Sequence, residues 1–214
     1  DPPSRLGGKH RSGTDCGTRD EAAGGGTEFQ PSPDRKILRA GLRERNNINL
    51  WIYDVATRHR NKFTFDPGDE PYGIWTPDGK TIIWRNTTPG DLFRKASSGT
   101  GKDEAFFTGP SLSPRSVSPD GKTLLYVSRV KDIFALPLVA EKPEDELKPR
   151  LVVKGGAADH PQFSPDGKWV AYTSSESKTR EAYVIPYTDP GGKRQVSSGG
   201  ASYVRWRSDG RELF

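Results

Sequence analysis

One four-residue motif recurs along this 214-residue chain at nearly constant spacing. Its clearest copy is Pro165-Asp166-Gly167-Lys168, which lies between two short runs of strand-forming residues. Proline pre-sets φ for a turn, Asp can bond its own backbone, and Gly takes φ > 0 without steric cost. Related turns are centred on Asp34, Asp78, Asp120, Asp166 and Asp209. These Asp residues are 44, 42, 46 and 43 residues apart, and a period in the low forties is typical of propeller blades.

The residues around each turn align as four strands. The innermost strand precedes the turn and carries a large residue three positions before Asp, namely Trp75, Val117, Phe163 or Trp206. The second strand carries an aromatic residue six positions after Asp, namely Trp84, Tyr126 or Tyr172. A third strand is predicted at 49–53, 91–94, 132–136 and 181–185, and an outer fourth strand at 62–65, 104–107, 151–153 and 194–197. The pattern predicts an all-β fold, a β-propeller of four-stranded antiparallel blades.

The repeat also predicts the domain organisation. Residues 1–28 have no period and are rich in Gly, Asp and Arg, which predicts a disordered or loosely ordered lead-in. Residues 29–214 are predicted to form the propeller, with blades at about 29–66, 70–109, 111–155 and 158–198 and a partial blade at 201–214. Four full blades and a partial fifth would leave one blade face open. We therefore expect a fragment of a larger propeller, a smaller strained ring, or closure through a second chain.

Composition narrows the classes of partner. Hydrophobic residues make up 31% of the chain, and no apolar run approaches 18 residues, so no membrane insertion is expected. The formal charge is +5, and its excess lies in the first repeat. There, basic residues are spread over strands and turns without interleaved aromatic residues, which favours a solvated surface and no nucleic-acid partner. These basic residues are Arg35, Lys36, Arg39, Arg43, Arg45, Arg58, Arg60 and Lys62.

Residues 162–187 resemble the WD40-like Pro-Asp repeat of the TolB type. Residues 49–54 and 63–68 resemble the TolB-like region found C-terminal to many bacterial serine/threonine protein kinases, although the chain carries no kinase motif. This resemblance implies a non-catalytic ligand- or protein-binding module of sensor or scaffold type. It also implies a bacterial protein that is periplasmic or extracellular-facing, while a cytoplasmic location stays open.

The same repeats occur in TolB proteins, which bind lipoprotein partners, and in the propeller that gates prolyl-oligopeptidase-type hydrolases. Because one fold hosts several functions, two alternatives stay open. One is a hydrolase of ester, glycoside or peptide bonds, with a site at the channel mouth or with this chain as the gating propeller. The other is a truncated propeller without autonomous function, which would self-associate through its open blade.

His160 is the most informative single residue. It stands six positions before Asp166, beside Asp159, at the start of an innermost strand that would face the channel mouth. An Asp–His pair can orient a general base, which makes both residues catalytic candidates. A hydrogen-bonded loop histidine is the favoured alternative, because no Ser or Cys nucleophile is paired with it in the sequence. The residues expected to bind ligand at the channel mouth are Glu70, Tyr72, Arg115, Asp159, His160, Ser202, Tyr203 and Arg205.

The turn Asp residues invite a second interpretation, as repeated acids or calcium ligands. Local hydrogen bonds within each turn explain them better. The acidic segment 66–70 is denser, but it lacks the alternating oxygen ligands of an EF-hand loop. We therefore expect no metal and no other cofactor, with calcium at 66–70 as the minor alternative.

Overall fold

The structure is a computed structural model that describes residues 28–44, 46–88, 90–109, 111–140 and 146–214. The predicted lead-in lies outside the described residues, except for its last residue, Glu28.

Within these ranges, sixteen strands form four antiparallel sheets of four strands each. The first blade contains β1 (Glu28–Pro31), β2 (Ile37–Glu44), β3 (Asn47–Asp54) and β4 (Arg60–Lys62). The second contains β5 (Gly73–Trp75), β6 (Thr81–Arg85), β7 (Leu92–Ala96) and β8 (Glu104–Phe107). The third contains β9 (Ser113–Val117), β10 (Thr123–Val127), β11 (Ile133–Pro137) and β12 (Arg150–Val153). The fourth contains β13 (Asp159–Phe163), β14 (Trp169–Ser177), β15 (Thr179–Pro186) and β16 (Arg194–Gln195), with a short 3-10 turn (Pro190–Gly192) before β16. The predicted all-β propeller of four-stranded blades is confirmed.

Each Pro-Asp turn is held by its own Asp. In the four full blades, Asp Oδ1 accepts hydrogen bonds from a Ser or Thr hydroxyl at 2.5–2.7 Å and from the backbone N–H two residues later at 3.0–3.1 Å. The hydroxyl and the backbone N–H hold the pKa of Asp166 below its usual value. The structure thus supplies the local role expected for these residues, which explains their recurrence without a ligand.

The aromatic residue six positions after Asp has a packing role. In blades two to four it lies directly opposite the aromatic residue of the third strand, so that two rings stack across the ladder. The pairs are Trp84–Phe93, Tyr126–Phe134 and Tyr172–Tyr183, with ring centroids 5.9, 5.4 and 5.6 Å apart. In the first blade Ala40 faces Trp51 instead, so this stack is missing there.

Neighbouring blades bury apolar side chains between their faces. The cluster between blades three and four includes Leu125 and Ile133 on one side and Phe163 and Tyr172 on the other, all at least 93% buried. Blades are also joined by hydrogen bonds, because the indole N–H groups of Trp75 and Trp206 each donate to a backbone carbonyl of the preceding blade at 3.3 Å. The large residue three positions before Asp is therefore an interblade contact.

Two outer strands differ from the expectation. β4 ends three residues before the predicted end at 65, and β16 ends two residues before 197. In both blades a side-chain hydroxyl replaces the backbone partner, since the N–H of Leu50 donates to Thr64 Oγ1 and that of Ala182 to Ser197 Oγ. The chain leaves the ladder at that hydroxyl, which shortens the strand.

The fifth repeat forms a hairpin packed on the fourth blade. Trp206 bridges Leu213, and the backbones of Arg205 and Phe214 exchange two hydrogen bonds of 2.9 Å. Trp206, Leu213 and the buried Val204 pack against the fourth sheet. Four blades and a partial fifth are therefore present, as expected.

One basic residue of the first repeat is not part of a solvated surface. Arg39 is fully buried. Its side chain packs closely on Gly73 of the second blade, where an added Cβ would lie 3.1 Å from Arg39 Cδ. The even spread of charge in the sequence concealed this burial. Across the part of the chain that the structure describes, no helix is both long and apolar enough to cross a membrane.

Candidate functional site

A cavity of about 290 Å³, here called the mouth cavity, opens where innermost strands of several blades begin. The side chains that give it polar or aromatic character are Gln30, Tyr72, Arg115, Lys131, Asp159, His160, Gln162, Tyr203 and Arg205. Six of the eight residues expected at the channel mouth thus lie together. The sequence predicted the cavity through the position six residues before each turn Asp, because that position marks the start of an innermost strand.

Asp159 is the buried centre of the cavity wall, with a side chain only 6% exposed. Its Oδ2 accepts a hydrogen bond from Lys131 Nζ at 2.6 Å, and its Oδ1 lies 3.1 Å from Arg115 Nη2. The backbone N–H of His160 also donates to Oδ1, at 2.8 Å. Burial acts to raise the pKa of Asp159, but the Lys131 hydrogen bond and the Arg115 charge hold it below its usual value. Asp159 is therefore an ionised acceptor whose two oxygens are both engaged.

His160 lies beside Asp159 without forming a catalytic dyad. Its Nδ1 is 4.0 Å from Asp159 Oδ1, and it has no hydrogen-bond partner among the described residues. Burial, aided by the charges of Arg115, Arg180 and Lys131, lowers the pKa of His160 to about 4 against the opposing charge of Asp159. A base of that pKa is a poor match for general-base work at neutral pH. The ring is a neutral, partly buried wall of the cavity.

Two of the seven described non-glycine residues with positive φ lie in the cavity wall. His160 has φ +52° and Lys131 has φ +64°, in the left-handed region that favours glycine. Such conformations cost on the order of 1–3 kcal/mol and cluster at functional sites. At His160 the strained backbone points its N–H at Asp159 Oδ1.

Aromatic rings flank the charged groups. The guanidinium of Arg115 lies over the ring of Tyr72, with 4.7 Å from Cζ to the ring centroid. The ring of Tyr203 contacts that of His160 at a centroid distance of 4.3 Å, although Tyr203 is 63% exposed. The cavity therefore combines cations with exposed aromatic surface, a combination that suits ligand binding.

Two expected residues lie elsewhere. Glu70 is 1% exposed and accepts a hydrogen bond from the indole N–H of Trp84 at 3.0 Å, away from the cavity wall. Its backbone N–H donates to Ile48 O, which turns the side chain inward between the first two blades. Ser202 is exposed and does not line the cavity.

Sequence reasoning missed three polar residues of the wall, Gln30, Lys131 and Gln162. Gln30 and Gln162 lie four positions before Asp34 and Asp166, the register that also places Arg205 in the wall before Asp209, so the alignment of turns contained their signal. Lys131 reaches Asp159 from the hairpin between β10 and β11 of the preceding blade. The alignment of repeats could not predict this contact, because its two residues belong to different repeats.

The acidic segment 66–70 has structural partners. Asp66 Oδ1 accepts the N–H of Gly68 at 2.9 Å, and Asp69 Oδ1 accepts the N–H of Ile48 at 2.7 Å. Among the described residues, no three His, Cys, Asp or Glu side chains are arranged to hold a metal ion. The expectation that no metal binds therefore stays a prediction, with calcium at this segment as its minor alternative.

Comparison with solved structures identifies the architecture. A protein described as TolB from Agrobacterium tumefaciens superposes with a TM-score of 0.72 at 19% identity, covering 86% of this chain and 67% of that one. TolB from Acinetobacter baumannii gives a TM-score of 0.68 at 16% identity, covering 87% and 48%. The chain has the fold of a TolB-type β-propeller. A hydrazine synthase of Kuenenia stuttgartiensis gives a TM-score of 0.65 at 18% identity, covering 94% and 58%, so this fold also occurs beyond TolB proteins.

Comparison with curated proteins finds peptidases. Dipeptidyl-peptidase 5 of Trichophyton schoenleinii is 33% identical over 122 residues, which are 46% of this chain and 17% of that protein. A protein named uncharacterized peptidase YuxL, of Bacillus subtilis, is 25% identical over 177 residues, covering 63% and 26%. The part of this chain that matches thus spans no more than about a quarter of the length of these relatives. No protein-family model matches the sequence.

Proposed function

We propose that this chain is a non-catalytic binding module whose ligand, a protein segment or a small molecule, engages the mouth cavity. The observation that carries the proposal is the convergence of Arg115, Lys131, His160 and Tyr203 on one concave site. A few placed polar groups beside aromatic surface are the usual make-up of a binding pocket. The similarity to TolB propellers supports a binding role at the level of the fold.

Binding to a library of random octapeptides, tethered in turn by the N- and the C-terminus, tests this proposal. Tyr203→Ala should weaken enriched peptides at least about tenfold, because an aromatic anchor at a site carries a large share of binding energy. Phe65→Ala is the matched control, since Phe65 is 69% exposed but lies on the first blade outside the cavity. Enriched peptides that tolerate Tyr203→Ala, or a library without enrichment, would contradict a peptide-binding function at this cavity.

A second candidate is the gating propeller of a larger hydrolase, which the sequence similarity to dipeptidyl-peptidase 5 favours. On this proposal the mouth cavity would guide substrates, and the bond would be broken by residues of another domain. On this proposal the chain alone should turn over none of a panel of ester, glycoside and peptide substrates. Turnover that His160→Ala abolishes would instead favour a site within the mouth cavity itself.

The sensor role and the cellular location that we propose follow from the resemblance to kinase-associated propellers. A sensor module of the kind attached to bacterial serine/threonine kinases, facing the periplasm or the cell exterior, would expose the mouth cavity to ligands outside the cytoplasm. We also propose that the open blade faces allow self-association. Neither the proposed location nor the proposed self-association changes the assignment of the mouth cavity as the binding site.

A further inference from the structure

We infer that the mouth cavity recognises a carboxylate, held by Arg115, Lys131 and Arg205, with the attached apolar group against Tyr72 and Tyr203. The inference rests on the proposed binding function and names the ligand class of the same site. Its two sources of carboxylate are the C-terminus of a peptide and a free organic acid.

Charge gives the first argument. The wall carries three cations, Arg115, Lys131 and Arg205, and among its described residues one acid, Asp159. Asp159 neutralises one positive charge, and His160 is uncharged at neutral pH because burial lowers its pKa to about 4. The cavity therefore holds about two unneutralised positive charges next to low-dielectric protein, which favours an anion.

The second argument is that Asp159 acts as a positioning residue. Its two oxygens are used by Lys131, Arg115 and the His160 N–H, so it offers little to a cationic ligand. Because Asp159 is 95% buried, it holds the two cations in place from behind the wall. Cations fixed before binding lose less entropy when an anion arrives.

The third argument distinguishes a carboxylate with an apolar neighbour from a bare anion. The guanidinium of Arg115 is planar and packs on Tyr72, and the guanidinium of Arg205 lines the cavity from an exposed position. Paired guanidinium donors match the two oxygens of a carboxylate. The exposed ring of Tyr203 supplies apolar surface beside them, and about 290 Å³ accommodates one or two amino-acid residues.

Titration calorimetry with matched probes tests the inference. N-acetyl-phenylalanine supplies a small carboxylate, its primary amide is the neutral isostere, and phenyl phosphate carries a tetrahedral anion. A tetrapeptide ending in phenylalanine is added with a free and with an amidated C-terminus. We expect each acid to bind at least about tenfold more tightly than its amide, since hydrogen bonds to charged groups are the strong ones. Tighter binding of the free tetrapeptide than of N-acetyl-phenylalanine assigns the peptide terminus as the source, and the reverse assigns a free acid.

Two charge-matched variants complete the test. Arg205→Gln should weaken the acids about tenfold and leave the amides unchanged. Arg211→Gln removes the same charge from the same partial blade, but Arg211 is exposed and outside the cavity wall, so less than a twofold change is expected. Equal effects of the two variants would show non-specific attraction and overturn the inference.

The outcomes separate the inference from the proposed function. Peptides that bind through the cavity with equal affinity as acid and amide would overturn carboxylate recognition and keep the binding module. Tighter binding of phenyl phosphate than of both acids would likewise overturn the ligand class alone. No binding of any probe, together with no enriched octapeptide, would overturn both.

Discussion

Asp159 organises the mouth cavity at the scale of single residues. Its carboxylate is buried, ionised and shared between two cations, while His160 beside it is neutral and lacks the hydrogen bond that a catalytic dyad needs. The sequence offered this pair as a candidate general base. The structure explains Asp159 better as the residue that holds two cations in place, and His160 as an uncharged part of the cavity wall. The sequence showed that the two residues are adjacent, whereas the partners that decide their chemistry come from another blade.

Removing the charge of Asp159 should destabilise the protein. In Asp159→Asn, Arg115, whose side chain is 13% exposed, loses its ionic partner, and we expect the free energy of unfolding to fall by about 2 kcal/mol. Urea denaturation measures this change. Glu104→Gln is the control, because its ion pair with Arg94 lies at the surface and should contribute less than about 1 kcal/mol. Equal losses in both variants would contradict the structural role of Asp159.

Arg35 stands where the other repeats place a turn glycine. Its φ is +59°, against +71° to +74° for Gly79, Gly121 and Gly167. The first turn therefore keeps its shape at the expense of a strained residue. Arg35→Gly should raise the free energy of unfolding by about 1 kcal/mol, measured by thermal or urea denaturation. Lys36→Gly, next to it but outside the left-handed region, should give no gain, and a gain there would point to a charge effect instead.

At the scale of elements, most strands could be predicted, because their pattern is local. The third strands predicted at 49–53, 91–94, 132–136 and 181–185 lie within two residues of β3, β7, β11 and β15 at each end. The outer strands of the first and fourth blades were less predictable, since Thr64 and Ser197 end them through side-chain hydrogen bonds to a neighbouring strand. The burial of Arg39 and Glu70 was equally hidden, because it depends on how two blades meet.

The contact between the first two blades should make stability depend on pH. Burial raises the pKa of Glu70 to about 7, above its ordinary 4.5. Between those values the unfolded chain ionises while the folded chain keeps its proton, so stability falls as pH rises through this window. The expected loss from Glu70 is roughly 3 kcal/mol between pH 4.5 and pH 8. His160 acts in the opposite direction, because its pKa is about 4 in the folded chain against 6.5 in the unfolded chain, so its contribution to stability rises with pH between those values. The slope due to Glu70 is therefore the difference between the wild-type protein and Glu70→Gln, measured by urea denaturation at a series of pH values.

Glu70→Gln keeps an acceptor for Trp84 and should remove this slope. Glu104→Gln serves as the control, because the hydrogen bond from Arg94 lowers the pKa of Glu104 and its titration lies below the window. Identical pH profiles of the wild-type protein and Glu70→Gln would contradict the role of Glu70.

At the scale of the whole molecule, the first blade presents a face that no preceding blade covers within the described residues. In blade two the corresponding face, with Ile82 and Trp84, packs on blade one. Alternation along the strands puts Phe29, Leu38 and Trp51 on the equivalent face of blade one, where Phe29 is 59% exposed. An uncovered blade face of this kind favours association.

We therefore expect concentration-dependent self-association, measured by light scattering. Phe29→Lys should weaken it, because a charge on the open face opposes burial. Phe65→Lys is the control, since Phe65 is 69% exposed but lies just after the outer strand β4. A protein that stays monomeric at all concentrations, or equal effects of the two variants, would contradict association through this face.

The repeat predicted the architecture of the whole molecule and, through it, the position of the cavity. The class of ligand could be inferred only from the distances and charges in the structure. The turn-aligned register located Tyr72, Arg115, His160 and Tyr203, whereas Lys131 enters from a neighbouring hairpin. The balance of charge in the cavity depends on that one contact. A sequence pattern that repeats within each blade cannot predict side-chain contacts between two blades.

The most direct test of the account is a map of amide chemical-shift changes when an enriched octapeptide is added to the ¹⁵N-labelled protein. We expect the largest changes at Arg115, Lys131, His160 and Tyr203, with little change in the outer strands β4, β8, β12 and β16. Changes concentrated on the outer strands or on the open face of the first blade, with the mouth cavity unaffected, would contradict the assignment of the binding site.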